Sequence, residues 1–170
     1  PFDEQGLSAA HGSLNRNKNS IVVDLKTPEG VLIIKKLIET YDIIVEQFRP
    51  SVMSRLGLGY EDLKKINPRL IYCAVTGYGQ KGVYKNRAGH DLNYLAIAGI
   101  LDYTGRKTTG PMPLPIQAAD ITGGLYAVTG ILAAVIHRQA TNEGQFVDVS
   151  LTDAAFSLQA LTAPAALMAN

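Results

Sequence analysis

One histidine and two aspartates stand out by residue type and position. His90 and Asp91 follow a glycine in "AGHDLNYLA", at the start of a segment with helical spacing, and Asp120 lies in "IQAADITGG" among small apolar residues. A carboxylate in apolar surroundings is costly unless it is hydrogen-bonded, paired or functional. Histidine and carboxylate groups can exchange protons with a substrate when their surroundings adjust their pKa values. These three residues are therefore candidates for proton-transfer chemistry.

Each of the three also has a structural explanation. Asp120 stands near the start of an apolar helix, where backbone N–H groups and the helix dipole favour an acid. His90 and Asp91 occupy a helix start, where a capping residue and a first-turn acid are ordinary, although Asp91 could instead orient the imidazole and fix its tautomer. Gly123 and Gly124 would let another backbone or a ligand approach closely. The local sequence leaves these alternatives open.

Basic residues are scattered along the chain. Lys26 and Arg49 each follow a predicted strand, and Arg55 lies slightly further on. Ligands of open parallel sheets bind outside the carboxyl ends of the strands, so this placement is compatible with a phosphate-bearing ligand. A solvated side chain is the default for any one of them. The same holds for Lys81, Lys85 and Arg87.

Composition narrows the class of protein. The 170 residues are 46% hydrophobic and carry a formal net charge of +1, which fits one domain with a real core and gives no global field for nucleic acid or an anionic membrane. Cys73, the single cysteine, lies in an apolar strand-like run and is expected to be a buried thiol in a reducing, cytoplasmic setting. The chain lacks metal-spaced histidines, a phosphate loop, a dinucleotide fingerprint and a nucleophile elbow. We therefore predict no metal and no cofactor of these classes.

The ends and the longest apolar run carry two further expectations. The run "GGLYAVTGILAAVIH" is expected to be too short and too glycine-rich to span a bilayer, which needs about 20 apolar residues. The chain begins at Pro1 and stops inside a helix-like pattern, so we expect a fragment of a longer protein.

The order of predicted elements indicates an α/β fold. Short β-branched runs alternate with amphipathic segments, which is typical of a parallel sheet with crossover helices. Thr27 and Pro28 are a predicted N-cap and first helical residue. The first fourteen residues are expected to be irregular. The predicted strands are residues 20–26, 42–48, 69–79 and 145–151, and the predicted helices are residues 27–41, 50–59, 60–68, 90–101, 116–139 and 152–169.

Five ordered blocks resemble the CaiB/BaiF family, which comprises the family III CoA-transferases and the α-methylacyl-CoA racemases. They are "NRNKNSIVVDLKTPEG", "VEQFRPSVMSRLGLGYEDLKKINPRLIYCAVTGYGQ", "AGHDLNYLAIAGIL", "QAADITGGLYAVTGILAAV" and "GQFVDVSLTDAAFSL". The resemblance extends from about Leu14 to the end of the chain. It implies acyl-CoA as substrate, a Rossmann-like large domain with a smaller domain, and a homodimer of interlocked chains. Residues 1–170 would then be the central part of the large domain, with the first strand and the small domain outside this chain.

The resemblance also implies roles for the candidate residues. In the transferase branch, Asp120 matches the aspartate that attacks the thioester and carries acyl and CoA groups in turn. In the racemase branch, the same aspartate works with the histidine of a "GHD" motif, which His90 matches, on opposite faces of the α-carbon. The "GHD" motif favours the racemase branch, and CoA transfer is the alternative. A non-catalytic CoA-binding fragment is a second alternative.

CoA-contacting positions carry over one by one. Lys26 in "DLKTPEG" and Arg55 in "MSRLGLG" match residues near the nucleotide and its phosphates, and Gln47 and Phe48 match a segment beside the adenine and ribose. Charge-assisted hydrogen bonds to phosphate are about twice as strong as neutral ones, so cations are expected there.

The chain departs from the family pattern at three places. Asn19 stands where arginine or lysine is common, Ser51 where "RPG" is usual, and "KGVY" where "TGPY" is usual. These departures put one cationic contact and the shape of two loops in doubt, and they leave Asp120 and His90 in place.

Overall fold

A computed structural model describes residue 6 and residues 8–169. The helices in this part of the chain are α1 (Ala9–Leu14), α2 (Pro28–Ile38), α3 (Val52–Arg55), α4 (Tyr60–Leu63), α5 (Asp91–Ile97), α6 (Ala118–Thr141), α7 (Leu151–Ser157) and α8 (Thr162–Met168), with a 3-10 helix at Ile100–Tyr103. The strands are β1 (Ile43–Glu46), β2 (Ile71–Thr76) and β3 (Phe146–Ser150).

The strands form a parallel sheet in the order β1-β2-β3. Ile43 pairs with Ile71 at one side of the central strand, and Tyr72 pairs with Phe146 at the other. Helices α3 and α4 connect β1 to β2, and α5 and α6 connect β2 to β3. The predicted α/β fold with crossover helices is therefore confirmed. All three carboxyl ends lie at one edge of the sheet, because the strands are parallel.

Strand β2 is covered on both faces, as expected for the centre of a parallel sheet. Tyr72 and Ala74 belong to a buried cluster with residues of α2, α3 and α4, while Cys73 packs with Ala127 of α6 and Val149. The alternation of side chains along the strand thus gives a helix–sheet–helix arrangement. The predicted burial of Cys73 is confirmed, at 0% exposure.

Helix α2 begins where the sequence predicts. The Thr27 hydroxyl oxygen accepts a hydrogen bond from the Gly30 N–H at 3.1 Å, and Pro28 is the first helical residue. This satisfies one of the backbone donors that every helix start leaves unpaired. On the inner side of the helix, Ile38 is buried.

Two predictions near the N-terminus are wrong. Residues 20–24 have no strand partner among residues 6 and 8–169, and Ile21 and Val22 are 58% and 99% exposed, so the predicted buried strand at 20–26 is absent there. A β-branched run becomes a strand only where a neighbouring strand accepts its hydrogen bonds. Within the fourteen residues expected to be irregular, Ala9–Leu14 form α1, and residues 1–5 and 7 lie outside the described residues.

Helix α6 is longer than the apolar run suggested. At 24 residues it is long and apolar enough to cross a membrane by length and composition alone, so the expectation that the run is too short is wrong. Its small residues lie on the inner side: Ala119, Gly123, Ala127 and Ala134 are buried. The small residues on several faces of this run predict a helix packed in the centre of the molecule. In the chain taken alone that prediction is wrong, because the helix packs against the sheet on one side and exposes Leu125, Leu132 and Ile136.

Candidate active site

The start of α5 is built around the backbone of His90. Its N–H donates to Asn93 Oδ1 at 2.9 Å, and its carbonyl accepts from the Asn93 N–H at 2.9 Å. These two hydrogen bonds make His90 the N-cap of α5 and fix its backbone in an extended conformation. The residue remains exposed, so a ligand can reach the histidine.

Tyr94 explains the glycine that precedes His90. The Tyr94 hydroxyl donates to the Gly89 carbonyl at 2.6 Å, and its ring lies so close that a Cβ on Gly89 would be 2.7 Å from the ring. The same ring also lies close to Gly77, which follows β2: a Cβ on Gly77 would be 2.5 Å from the nearest ring carbon. Tyr94 therefore ties the "GHD" segment to the loop at the carboxyl end of β2.

Asp91 connects the starts of α5 and α6. Its Oδ2 accepts hydrogen bonds from the backbone N–H of Ala119 at 2.7 Å and from that of Asp120 at 3.2 Å. The sequence suggested that Asp91 could orient the His90 imidazole. In the described part of the chain its carboxylate is hydrogen-bonded to the backbone of α6 instead. The structure thereby brings His90, Asp91 and Asp120 into one group, called here the helix-start site.

The electrostatics of Asp120 follow from this placement. Partial burial raises the pKa of its carboxyl group, the negative Asp91 raises that pKa further, and His90 acts in the opposite direction. Because Asp120 is still exposed, its carboxylate is accessible to a ligand. A carboxyl group with a raised pKa is a stronger base once ionised, and a proton acceptor and donor beside a histidine is what acid–base chemistry needs.

The two glycines after Asp120, Gly123 and Gly124, have different surroundings. A Cβ on Gly123 would overlap a methyl carbon of Leu151, so this glycine lets α6 approach the start of α7. Nothing lies within 4 Å of the corresponding position on Gly124. The expected close approach is therefore confirmed at Gly123, where the neighbour is protein.

A second region gathers positive charge. Lys26, Lys35 and Arg55 line one open cavity of about 470 Å³ at the start of α2, together with apolar residues of α2 and Leu56. Lys26 precedes α2, Lys35 lies on α2 and Arg55 ends α3. This region is called here the cationic cavity. Three cations around one cavity can bind a multiply charged anion such as a phosphate-bearing ligand.

Lys35 is a site residue that the sequence reasoning missed. Its spacing placed it on the solvent side of α2, opposite the apolar residues. In the structure its ammonium lies beside Gly57, 3.7 Å from where a Cβ would stand on that residue. The sequence pattern of α2 could not predict that the loop after α3 lies close to Lys35.

Ser51 adopts the backbone conformation that explains why glycine is usual there. Its φ is 66°, in the left-handed region, which costs a residue with a Cβ about 1 kcal/mol or more. The Ser51 hydroxyl oxygen accepts a hydrogen bond from Arg55 Nη1 at 3.0 Å. The serine is strained in its backbone, and its side chain holds one of the three cations.

The remaining predicted contacts lie elsewhere. Gln47 and Phe48 follow β1 at the carboxyl edge of the sheet and are exposed, and the Phe48 N–H donates to Glu46 Oε2 at 2.7 Å. Neither residue lines the cationic cavity. Arg49 lines a neighbouring cavity of about 340 Å³ with Glu46 and aromatic residues.

The loop cations also stay outside the cationic cavity. Lys81, Lys85 and Arg87 are exposed on the segment before His90, and the Arg87 guanidinium stacks over the Tyr84 ring at 4.7 Å.

Among residues 6 and 8–169, no group of three or more histidine, cysteine or acidic side chains is arranged to hold a metal ion.

Comparison with known proteins places the chain in one family. The family model described as CoA-transferase family III matches residues 1–170. A succinate–glutarate CoA-transferase of Agrobacterium fabrum is 43% identical over 152 residues, which are 89% of this chain and 38% of that protein. The human α-methylacyl-CoA racemase is 40% identical over 152 residues, which are 89% of this chain and 40% of that protein.

A solved structure of a related protein has a closely similar backbone fold. The crystal structure of a CaiB/BaiF family protein from Brucella suis superposes with a TM-score of 0.92 at 38% identity, covering 99% of this chain and 45% of that one. The chain thus spans less than half the length of each of these three proteins.

Proposed function

We propose that this chain, which belongs to CoA-transferase family III, forms part of an enzyme that moves a proton at the α-carbon of an acyl-CoA, as an α-methylacyl-CoA racemase does. His90 and Asp120 are the two proton-transfer groups in this proposal. Racemisation requires a proton to leave one face of the α-carbon and return on the other, so two groups must flank that carbon.

The observation that carries the proposal is the convergence of two helix starts. His90 caps α5 and Asp120 lies in the first turn of α6, and the Asp91 carboxylate connects the two by hydrogen bonds to the α6 backbone. His90 lies near enough to act on the pKa of Asp120. A neutral imidazole and a carboxylic acid, or an imidazolium and a carboxylate, are the two proton arrangements that such a pair exchanges during a 1,1-proton transfer.

The cationic cavity supplies binding for the nucleotide part of acyl-CoA in this proposal. Lys26, Lys35 and Arg55 would contact phosphate oxygens, and Gln47 and Phe48 would lie beside the adenosine. Binding energy from this remote part of the substrate can be used to hold the thioester end at the reacting groups.

CoA transfer is the second candidate. It is favoured by relatives that are named CoA-transferases, including those with 43% identity to this chain. In that reaction the Asp120 carboxylate attacks the thioester carbonyl, and CoA leaves as a thiolate. The thiolate then attacks the aspartyl carbonyl of the resulting anhydride, which releases the donor acid as a carboxylate and gives an aspartyl-CoA thioester. The acceptor carboxylate displaces CoA to form a second anhydride, and attack of the CoA thiolate on its acyl carbonyl gives the new acyl-CoA and frees Asp120. Asp120 is exposed enough for this attack.

One mass-spectrometric experiment separates the two candidates. The full-length protein is incubated in deuterated buffer with a 2-methylacyl-CoA, with and without an added carboxylic acid. Deuterium at the α-carbon without a covalent adduct supports racemisation. A CoA adduct on the peptide that contains Asp120, without deuterium in the acyl group, supports transfer and contradicts the racemase proposal.

We further propose that the full-length protein is a homodimer and that this chain contributes the central part of its large domain. Apolar side chains of α6 are exposed in the chain taken alone, including Leu125 at 64%, Leu132 at 58% and Ile136 at 68%. Exposed apolar surface of this extent is expected to be covered by other protein. Sedimentation analysis of the full-length protein tests this, and a monomer at micromolar concentration would contradict the dimer.

The isolated 170 residues are expected to retain the cationic cavity. We therefore propose that they bind CoA weakly and that turnover belongs to the full-length protein. Calorimetric titration of the isolated chain with CoA, compared with a steady-state assay of both proteins, tests this second alternative.

A further inference from the structure

We propose that Asp91 is a positioning residue: its carboxylate caps α6 from the start of α5 and thereby holds Asp120 in place beside His90. This inference rests on the proposed function in that it gives Asp120 and His90 their roles. It replaces the expectation that Asp91 acts on the imidazole.

The hydrogen bonds of α6 give the first argument. Its N-cap residue, Gln117, makes no side-chain capping bond within the described residues, so the helix start has no cap from its own sequence. Asp91 supplies that cap from 28 residues upstream, with bonds of 2.7 Å to the Ala119 N–H and 3.2 Å to the Asp120 N–H. A charged acceptor makes these bonds stronger than a neutral one would.

The position of the two donors gives the second argument. One of them is the backbone N–H of Asp120 itself, so the bond fixes the backbone from which the reacting carboxylate extends. Asp91 is also the residue that directly follows His90, the cap of α5. One carboxylate therefore sets the spacing between the two helix starts, and a displacement of about 1 Å at a reacting group can cost up to a hundredfold in rate.

The charge of Asp91 has a separate effect on Asp120. Two titratable groups act on the Asp120 carboxyl: Asp91 raises its pKa and His90 lowers it. Tyr94, on α5 with Asp91, has its own pKa raised by burial and in part by the charge of Asp120. Replacing Asp91 with a neutral residue removes one of the causes that raise the pKa of Asp120. That pKa is then expected to fall if the Asp91 carboxylate lies beside Asp120, as the hydrogen bonds place it, and to stay unchanged if it does not.

The test measures kcat, KM and pH dependence in the full-length protein with Asp91→Asn, Asp91→Ala and the control Asp102→Asn. Asp102 is an exposed acid in the 3-10 helix that follows α5. We expect kcat to fall about tenfold in Asp91→Ala and about threefold in Asp91→Asn, which keeps an acceptor oxygen. KM should stay within about twofold in both, because the cationic cavity is untouched.

The acidic limb of the pH profile is the decisive readout. It should move to lower pH in both Asp91 variants and stay in place in Asp102→Asn. Wild-type kcat and an unmoved limb in both Asp91 variants would overturn the inference. So would a loss of kcat that accompanies a lower melting temperature and leaves the limb unmoved, because Asp91 would then serve the fold alone. If Asp91→Ala does not fold, the nearly isosteric Asp91→Asn decides.

A readout without activity separates this inference from the proposed function. Carboxyl resonances of ¹³C-labelled aspartate report the titration of Asp120 directly, with Asp120→Asn used for assignment. A lower pKa of Asp120 in Asp91→Asn supports the positioning role even in a protein that shows no acyl-CoA turnover, in which case the proposed function alone fails. An unchanged pKa in an active enzyme contradicts the inference alone.

Discussion

The cationic cavity and the helix-start site place charge in two different ways. Lys26 from the segment before α2, Lys35 from α2 and Arg55 from α3 extend flexible side chains into an open cavity. Asp91 and Asp120 are instead tied together by hydrogen bonds that the backbone N–H groups at the start of α6 donate to the Asp91 carboxylate. The first arrangement attracts an anion over a range of positions, whereas the second fixes reacting groups relative to one another.

This difference separates binding from chemistry. A phosphate group can be held by several cations in many geometries, so losing one of them weakens binding in part. Proton transfer or thioester attack requires defined positions, so the loss of one reacting group should end turnover. Substitutions in the two regions should therefore change different kinetic constants.

The largest expected effect is that of Asp120→Ala. We expect kcat of the full-length protein to fall by at least about 1,000-fold, because both proposed reactions use this carboxylate. Steady-state kinetics with an acyl-CoA measures the loss, and Asp153→Ala, an exposed first-turn acid of α7, is the matched control. Residual turnover within tenfold of wild type in Asp120→Ala would remove the helix-start site from the mechanism.

Substitutions in the cationic cavity should raise KM and leave kcat nearly unchanged. Lys26→Ala, Lys35→Ala and Arg55→Ala should each raise KM for acyl-CoA by about tenfold, since each removes a charge-assisted hydrogen bond. Lys36→Ala is the control, because Lys36 lies next to Lys35 on α2 and does not line the cavity. A fall in kcat at constant KM would show that the two regions are not separate in function.

Asp120→Asn should make the folded protein slightly more stable at neutral pH. The pKa of Asp120 is raised in the folded state, so its ionised form opposes folding, and that penalty is fully present above the folded pKa. The melting temperature should rise by about 1–2 °C at pH 7, a small change because the group is exposed and solvent screens it. Below the ordinary pKa of aspartate the difference should disappear, and a gain that persists there would contradict this origin.

Ser51→Gly should have the smallest effect on the kinetic constants and combines two opposite changes. Glycine relieves the left-handed backbone, worth about 1 kcal/mol of stability, but it removes the hydroxyl that accepts from Arg55. Chemical denaturation should show the gain, and KM should rise by no more than about twofold. Asn17→Gly is the control for backbone relief alone, because Asn17 has a φ of 61° and lies outside the cationic cavity.

Local signals in the sequence predicted the elements that depend on local contacts. Thr27 and Pro28 predicted the start of α2 because both act through the backbone next to them. The run at residues 20–26 did not predict a strand correctly, since strand formation requires a partner that the run itself does not specify. Helix α6 was predicted in place, but its burial was not, since its buried small residues lie on one side only.

The candidate site was predicted in its residues more than in its contacts. His90 and Asp120 could be singled out by type and position, and the family resemblance related them. The bond from Asp91 to the start of α6 and the approach of Lys35 to Gly57 are tertiary contacts with no local signature. The positive φ of Ser51 gives a physical reason for the glycine that is usual at that position.

The most direct test of the account uses each enantiomer of a 2-methylacyl-CoA separately in deuterated buffer. The full-length protein should exchange the α-proton of both enantiomers and interconvert them. His90→Ala should exchange the proton of one enantiomer only, Asp120→Ala that of the other only, and neither variant should racemise, because each group serves one face of the α-carbon. Racemisation at wild-type rate in His90→Ala, or equal residual exchange of both enantiomers in either variant, would contradict the account.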